Sequence, residues 1–454
     1  MPDPLTELRR TDNPNFRHEA AMLQLDAEAP GDEAYQAALH RMIWVPGYNA
    51  AIREMALDRL AEQDLPALKR TIRQRYIHLK ASIWATRLAA IIAERGWDDL
   101  TPALVGRLAW PDPLDLDSTQ RPEYLAIESL HGEGTVVDVV FDVLMENRES
   151  WQQGLRMRCW SLIGRLGGRE RLIELVATAE IDPDDAMLLD LRAAHDDLGI
   201  VPRMGEEIRW IRTIREPSRA AFWESAAAAL PGLSADRRDA LEMRDLAVVI
   251  AGARHDPDLL QASTDELYAR LESTLEGSRH YHPVSPGNHA RRHVLREWRE
   301  DLTWGDLAAM LLAARALSVP QVVDHLFDYA DRDHADETTE SGGLIDLDEY
   351  GRFVVHEYPP RRREHDQKFN ATNDMFEAGY TALFHFHDHV QRHANADYAG
   401  PGAGDRRYAE FNRVNCLVFT FVDEHRLNVD FYRHGGLIVD LGTIHRNDGR
   451  RSGA

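Results

Sequence analysis

Three short segments near the C-terminal end of the chain contain residues that could hold a catalytic metal ion. They are Glu340-Ser-Gly-Gly-Leu344, His385-Phe-His387 and Gly400-Pro-Gly-Ala-Gly-Asp405. Two imidazoles and one carboxylate form a usual protein ligand set for catalytic Zn²⁺, which keeps its fourth position open. Residues i and i+2 of an extended segment point the same way, so His385 and His387 could bind one ion from one strand. Asp405 would then arrive from a glycine-rich loop, and Glu340 would be free to act as a base.

The order of these segments resembles the signature of the JAB/MPN family, the JAMM metalloproteases, which is Glu-x-Gly-Gly-Leu, His-x-His and Pro-Ser-x-x-Asp. The resemblance covers about residues 335–447. It implies a compact α/β domain with Zn²⁺ held by His385, His387 and Asp405, and with Glu340 as the general base. The family's serine, which donates to the oxyanion of the reaction, falls on Gly402 in this chain.

In that family, the site cleaves an amide made to a lysine amine, commonly in conjugates of ubiquitin-like proteins. The resemblance therefore implies a zinc metallopeptidase or isopeptidase that acts on a protein or peptide. The glycine at position 402 favours an alternative, a weakly active or inactive MPN-like scaffold joined to a protein-binding helical region. Losing one oxyanion donor typically costs about 10²- to 10³-fold in rate, so Gly402 alone does not decide between them.

Further histidines near the three segments allow two other interpretations. His389 and His393 are four residues apart, and they could form a second metal pair or lie at the surface beside the site. The string His385-Phe-His-Asp-His389 is one residue short of the His-x-His-x-Asp-His motif of metallo-β-lactamase-fold hydrolases. That motif gives no role to Glu340 or Asp405. We therefore favour a metal site formed by His385, His387 and Asp405.

The length of the chain and its changes in periodicity indicate several domains. A chain of 454 residues is too long for one ordinary core. Residues 1–30 form a polar N-terminal segment, and helical periodicity then continues almost throughout residues 31–329. An acidic stretch at 331–337 predicts an exposed linker, after which β-prone runs predict the α/β domain. We therefore predict a helical repeat domain at 31–329, a JAB/MPN-like domain at 330–447 and a tail at 448–454.

Two stretches show the helical pattern most clearly. Residues 77–96 predict one amphipathic helix that Gly96 ends, and residues 155–179 predict a helical hairpin that is broken at Gly167-Gly168. Such hairpins resemble HEAT-like repeats, which stack into a solenoid with a concave binding side. We expect a protein partner or substrate on this side, and irregular helical packing remains the alternative.

The C-terminal part predicts strands joined by one crossing helix. The helix is expected at residues 373–380. The strands are expected at residues 344–347, 352–356, 382–387, 417–422, 427–432 and 437–441.

The composition excludes some classes of function. With Lys+Arg 53 against Asp+Glu 76, the formal net charge is -23, and no large basic cluster is present, so nucleic acid is not expected as a partner. The two cysteines, Cys159 and Cys416, lie in apolar stretches and do not require a disulfide framework. The longest apolar runs are too short to span a bilayer. We therefore expect a cytoplasmic protein with no membrane association.

Overall fold

A computed structural model of the chain describes residues 3–80, 82–110, 117–149, 152–281, 293–365 and 368–447. The predicted tail at 448–454 lies outside the described residues. The chain divides into two compact units, Met1–Leu172 and Ile173–Ala454. Each unit has its own apolar core.

The first unit is built from α-helices around a core that includes Leu39, Leu57, Leu88 and Leu104, all of them fully buried. Helices α3 and α4 pack together, and α7 packs on both α5 and α6. The helices of this unit are α1 (Pro4–Arg9), α2 (Asn15–Glu28), α3 (Glu33–Trp44), α4 (Ala50–Arg75), α5 (Ile83–Glu94), α6 (Thr101–Leu108), α7 (Pro122–His131), α8 (Val136–Glu146) and the first part of α9 (Gln153–Thr178).

Local capping explains where these helices differ from the sequence pattern. The helix predicted at 77–96 begins later, at Ile83, because the side chain of Ser82 accepts the N–H of Ala85 and caps it there. The predicted break in the hairpin is confirmed, since Gly168 interrupts α9 with a φ of 70°. Much of the polar N-terminal segment is helical, as α1 and α2, and it buries Met22.

The second unit combines helices with one mixed sheet. Its strands are ordered β2-β1-β3-β4-β5-β6, and every neighbouring pair is antiparallel except β3 and β4, which are parallel. The strands are β1 (Gly342–Leu347), β2 (Phe353–Tyr358), β3 (Phe384–His389), β4 (Cys416–Asp423), β5 (Arg426–Tyr432) and β6 (Ile438–His445). The helices are α10 (Ala186–Ala193), α11 (Gly205–Ile214), α12 (Ala220–Ala229), α13 (Ala235–Ala240), α14 (Asp245–His255), α15 (Pro257–Gln261), α16 (Thr264–Thr274), α17 (Trp304–Ala316), α18 (Pro320–His334), α19 (Asn373–Gly379) and α20 (Ala403–Asn412).

The coarse prediction of a helical N-terminal region followed by an α/β part is confirmed. Each predicted strand overlaps an observed one, and the predicted crossing helix is α19. Strand β3 is the informative difference, because it starts and ends two residues later than predicted and so includes His389. The HEAT-like solenoid and the MPN-like domain stay predictions.

The exposed acidic linker predicted at 331–337 is wrong. Helix α18 continues to His334, and Asp333 in its last turn is buried. The Asp331 carboxylate accepts two hydrogen bonds from Arg446, which follows β6, and the Tyr329 hydroxyl donates to the carbonyl of Gly342 in β1. The helices from residue 173 onward therefore belong to the same compact unit as the sheet, and separable folding of residues 330–447 stays a prediction.

Helices α17 and α18 follow each other closely in this unit. Along α17, Leu307, Met310 and Leu312 are buried in the core. Among the described helices, none taken singly combines the length and the apolar character that crossing a membrane requires, whereas α17 and α18 meet these criteria together despite a bend of 85° between them.

A buried ion network joins the helices of the second unit to its sheet. The Arg244 guanidinium donates to Asp306 at 2.8 Å, to Glu242 at 2.7 Å and to the side-chain oxygen of Asn415. Arg433, at the end of β5, donates twice to the same Asp306 carboxylate, at 2.9 Å each. Burial would raise the pKa of Asp306, but the two guanidinium groups outweigh it and hold this pKa well below its usual range.

We expect Arg244→Met to destabilise the second unit by about 3–5 kcal/mol, because it removes one of the two cations that pair with the buried Asp306 and a cation that pairs with the half-buried Glu242. Arg426→Met is the matched control, since it removes a more exposed pair with Asp423 and should cost less than about 1 kcal/mol. Urea unfolding of both variants measures the difference. Equal losses in the two variants would contradict a central role for Arg244.

Candidate metal centre

Strand β3 presents three histidines on one face of the sheet. Side chains alternate along a strand, so His385, His387 and His389 point to the same side. Strand β1 lies directly against β3, with Gly342 opposite His387. A Cβ atom on Gly342 would lie 2.5 Å from the Phe386 carbonyl oxygen, which confirms that this glycine permits a close approach of the strands.

Three ligand atoms converge beyond the end of β3. The Nε2 atoms of His387 and His389 are 3.2 Å apart, and Asp405 Oδ2 lies 3.3 Å from the first and 3.6 Å from the second. The Oε1 atom of Glu340 is 3.9 Å from His389 Nε2. Potential ligand atoms of Glu340, His387 and His389 all lie within 4.8 Å of one another, which is the spacing of a metal-binding group.

These separations fit a tetrahedral zinc ion. Ligand atoms that lie about 2.0–2.1 Å from such an ion are about 3.3–3.4 Å from one another. The three measured separations bracket that value. Two imidazoles and one carboxylate also leave one coordination position for water or substrate. His387, His389 and Asp405 therefore fit Zn²⁺ in both donor type and geometry.

The other nitrogen of each imidazole has its own partner. His387 Nδ1 is 3.4 Å from the Tyr432 hydroxyl, and His389 Nδ1 is 3.3 Å from the carbonyl oxygen of Tyr398. A carbonyl can only accept, so Nδ1 of His389 carries a proton in either charge state, and loss of the other proton would free the Nε2 lone pair for a metal ion. Such partners are the usual means of fixing the tautomer and ring orientation of a metal ligand.

His385, which the sequence predicted as a ligand, does not join this cluster. Its Nδ1 atom lies 2.7 Å from the Tyr408 hydroxyl, and its Nε2 atom faces the carbonyl of Gly379 at 3.4 Å. A Cβ atom on Gly379 would overlap the imidazole, so that glycine makes room for the ring. Burial lowers the pKa of His385 to about 4, which keeps the ring neutral. His385 therefore supports Tyr408, and the two histidines placed to hold a metal ion are His387 and His389.

Asp405 reaches the site from the first turn of α20, and not from a loop as the sequence suggested. Its Oδ2 atom accepts the backbone N–H of Gly402 at 2.7 Å, which fixes the carboxylate toward the histidines. Burial alone would raise the pKa of Asp405, but His387 and His389 outweigh it and hold this pKa well below its usual range. Gly402, predicted at the position of an oxyanion donor, thus commits its N–H to positioning Asp405.

Glu340 lies just before β1 and is buried beside the cluster. Its Oε1 atom accepts a hydrogen bond of 3.0 Å from Gln391, whose side-chain oxygen in turn accepts one from Asn395. Burial raises the pKa of Glu340 to about 7, with the Asp405 carboxylate adding to the rise and the His389 imidazole opposing it. The position is suitable for the general base that the sequence predicted.

The sequence analysis placed His389 outside the predicted ligand set, and it gave no role to Gln391 or Tyr408. The signal for His389 was present, because His385, His387 and His389 alternate at strand spacing and His387-Asp-His389 is a second His-x-His. The hypothetical pair of His389 with His393 does not form. The His393 ring instead packs against His334 at 4.2 Å and Phe421 at 5.0 Å.

Comparisons of this chain with protein-family models, with curated proteins and with solved structures gave no match. The resemblance to JAB/MPN proteases therefore depends on the three sequence segments. The donor set and its geometry are independent of that resemblance.

We expect His387→Ala, His389→Ala and Asp405→Ala each to weaken zinc binding by more than about 100-fold, which exceeds the roughly 10- to 100-fold effect of supporting contacts. His385→Ala is the matched control from the same strand face and should retain zinc. Zinc content after dialysis against a chelator measures the effect, with the melting temperature as a check on folding. Loss of zinc from His385→Ala, with retention in His389→Ala, would support His385 and His387 as the histidine ligands, as the sequence predicted.

Proposed function

We propose that this protein is a zinc-dependent hydrolase of amide bonds, a metallopeptidase or isopeptidase of the JAB/MPN type. The observation that carries the proposal is the convergence of His387, His389 and Asp405 ligand atoms within 3.6 Å, with Glu340 beside them. Nitrogen and oxygen donors of this kind suit zinc. A zinc ion held by these residues supplies Lewis acidity toward a carbonyl oxygen and lowers the pKa of a water molecule.

Glu340 transfers a proton from the attacking water to the leaving nitrogen. Its carboxylate takes a proton from water as the new C–O bond forms at the carbonyl carbon. It then returns that proton to the leaving nitrogen as the C–N bond breaks, so no other acid is required. The hydrogen bond from Gln391 to Oε1 holds the carboxylate in place for both transfers.

The remaining residues of the centre keep its ligands in one orientation. Tyr398 accepts from His389, and Tyr432 contacts the Nδ1 atom of His387. Because such partners restrict the rings before any ligand arrives, the site does not have to reorganise when it binds zinc. Gly402 does the same for the Asp405 carboxylate.

The resemblance extends the proposal to the substrate. We infer that the amide belongs to a protein or peptide, including conjugates of ubiquitin-like proteins, and that the helical N-terminal region recruits the substrate or a partner protein. The free and buried thiols of Cys159 and Cys416 support a reducing, cytoplasmic setting.

One observation favours a second candidate, a weakly active or inactive scaffold. Gly402 has no hydroxyl, and its N–H donates to Asp405. Neither group is therefore available to stabilise an oxyanion, which typically contributes about 10²- to 10³-fold in rate. The scaffold candidate accepts zinc and protein partners but predicts no turnover.

We expect Glu340→Gln to keep zinc and the fold while losing about 10²- to 10⁴-fold in amide hydrolysis, because glutamine cannot accept the proton. Glu337→Gln is the control, since Glu337 is a nearby exposed acid. Zinc content and turnover of peptide and isopeptide substrates are measured on the full-length zinc-loaded proteins. A wild-type protein that binds zinc but cleaves none of these substrates supports the scaffold candidate, and loss of zinc in Glu340→Gln would make Glu340 a ligand.

A further inference from the structure

Two cavities meet at the metal centre and differ in character. One has a volume of about 360 Å³ and the other about 440 Å³. Glu340, Gly404 and Asp405 line both of them. A substrate bound at the centre can therefore extend into both cavities.

The first, which we call the aromatic cavity, is lined by Phe369, Met375 and Tyr408. Phe369 and Met375 belong to a small apolar cluster around Leu344. His385 fixes Tyr408 through the 2.7 Å hydrogen bond to its hydroxyl. Pockets with largely apolar walls and few polar groups are the usual form of a ligand site, and this volume lies in their range.

The charges at the aromatic cavity are of both signs. Lys368 and Arg407 line it from exposed positions, and the carboxylates of Glu340 and Asp405 line it at the metal centre. These groups therefore favour neither sign of charge. The occupant that its aromatic and apolar walls favour is an uncharged apolar group.

The second, which we call the polar cavity, has different walls. It is lined by the side chains of Gln391, Arg392 and Asn395 and by the backbone of residues 400–404, which include three glycines. The amides of Gln391 and Asn395 bond to each other and to Glu340, which leaves the backbone of residues 400–404 as the surface that faces a substrate chain. Peptide groups bind a chain through hydrogen bonds and do not select for an apolar side chain.

From this asymmetry we propose that the substrate carries a bulky apolar, uncharged group directly beside the scissile amide, bound in the aromatic cavity, and a polar chain on the other side. This inference rests on the proposed function, because it assigns the substrate class of that site. It also predicts which substrates are cleaved more slowly, since a conjugate with glycine beside the scissile bond leaves the aromatic cavity unfilled. Filling such a pocket discriminates by about 10- to 100-fold in kcat/KM.

Small hydroxamates test the cavity without requiring turnover. Acetohydroxamate, 3-phenylpropanohydroxamate and 6-aminohexanohydroxamate share the metal-binding group and differ in the attached chain. We expect calorimetry on the zinc-loaded full-length protein to show the phenyl compound binding about 10- to 100-fold more tightly than acetohydroxamate. The amino compound should gain no comparable advantage, because its ammonium group would lose hydration against the aromatic and apolar walls.

Variants assign that preference to the aromatic cavity. Phe369→Ala should reduce it to about threefold or less, and Phe369→Leu should preserve most of it by keeping an apolar wall. Arg392→Ala, in the polar cavity, is the matched control and should leave it unchanged. Melting temperatures confirm that each variant is folded. A preference that survives in Phe369→Ala, or that is lost in Arg392→Ala, would overturn the assignment.

Peptides that differ only in having Gly, Leu or Phe next to the scissile bond test the apolar preference separately from the proposed hydrolase activity. Cleavage with equal kcat/KM for all three residues, together with hydroxamates that bind equally, overturns the apolar preference and leaves the hydrolase proposal standing. A strong hydroxamate preference in a protein that cleaves no amide supports the cavity assignment and contradicts the hydrolase proposal. Cleavage that favours Leu and Phe on one side alone supports both.

Discussion

Arg244 connects the helices of the second unit to the strands that carry the metal centre. Its guanidinium lies between Asp306, in the first turn of α17, and Asn415, which immediately precedes β4. The backbone carbonyl of Asn415 accepts the N–H of His385 in β3. A buried cation costs several kcal/mol in lost hydration, so it is tolerated only with its partners in place. The starts of β3 and β4 are thereby tied to one buried interaction.

The register of β3 then decides which histidines meet the metal. A shift of one residue would move all three rings to the other face, but a shift of two residues keeps the face and moves the site along the strand. The sequence therefore predicts the correct face from His385, His387 and His389. It does not predict which two are ligands, because that choice depends on where α20 brings Asp405. In the structure His387 and His389, and not His385, lie beside Asp405. Metal binding by these residues stays a prediction.

The other differences between the sequence prediction and the structure also arise from contacts between residues that are far apart in the sequence. Composition alone made residues 331–337 a linker, yet Asp331 pairs with Arg446, which lies 115 positions later. Alternating apolar residues are a local signal, and they predicted the strands of the sheet well. A pairing between remote charges leaves no local signal. The same holds for the hydrogen bond between Tyr408 and His385, which accounts for the missed role of His385.

The Gly402 N–H, which donates to Asp405, and the aromatic cavity have opposite expected effects on kcat/KM. Loss of an oxyanion donor costs about 2.7–4 kcal/mol of transition-state stabilisation. Burial of one Leu- or Phe-sized group contributes about 1.5–3 kcal/mol, which offsets much of that loss in kcat/KM. Such binding raises kcat only where the contact is stronger in the transition state than in the ground state. A hydrolase with this centre would therefore be selective for apolar substrates. Its kcat would be low, since the Gly402 N–H donates to Asp405 and does not stabilise an oxyanion.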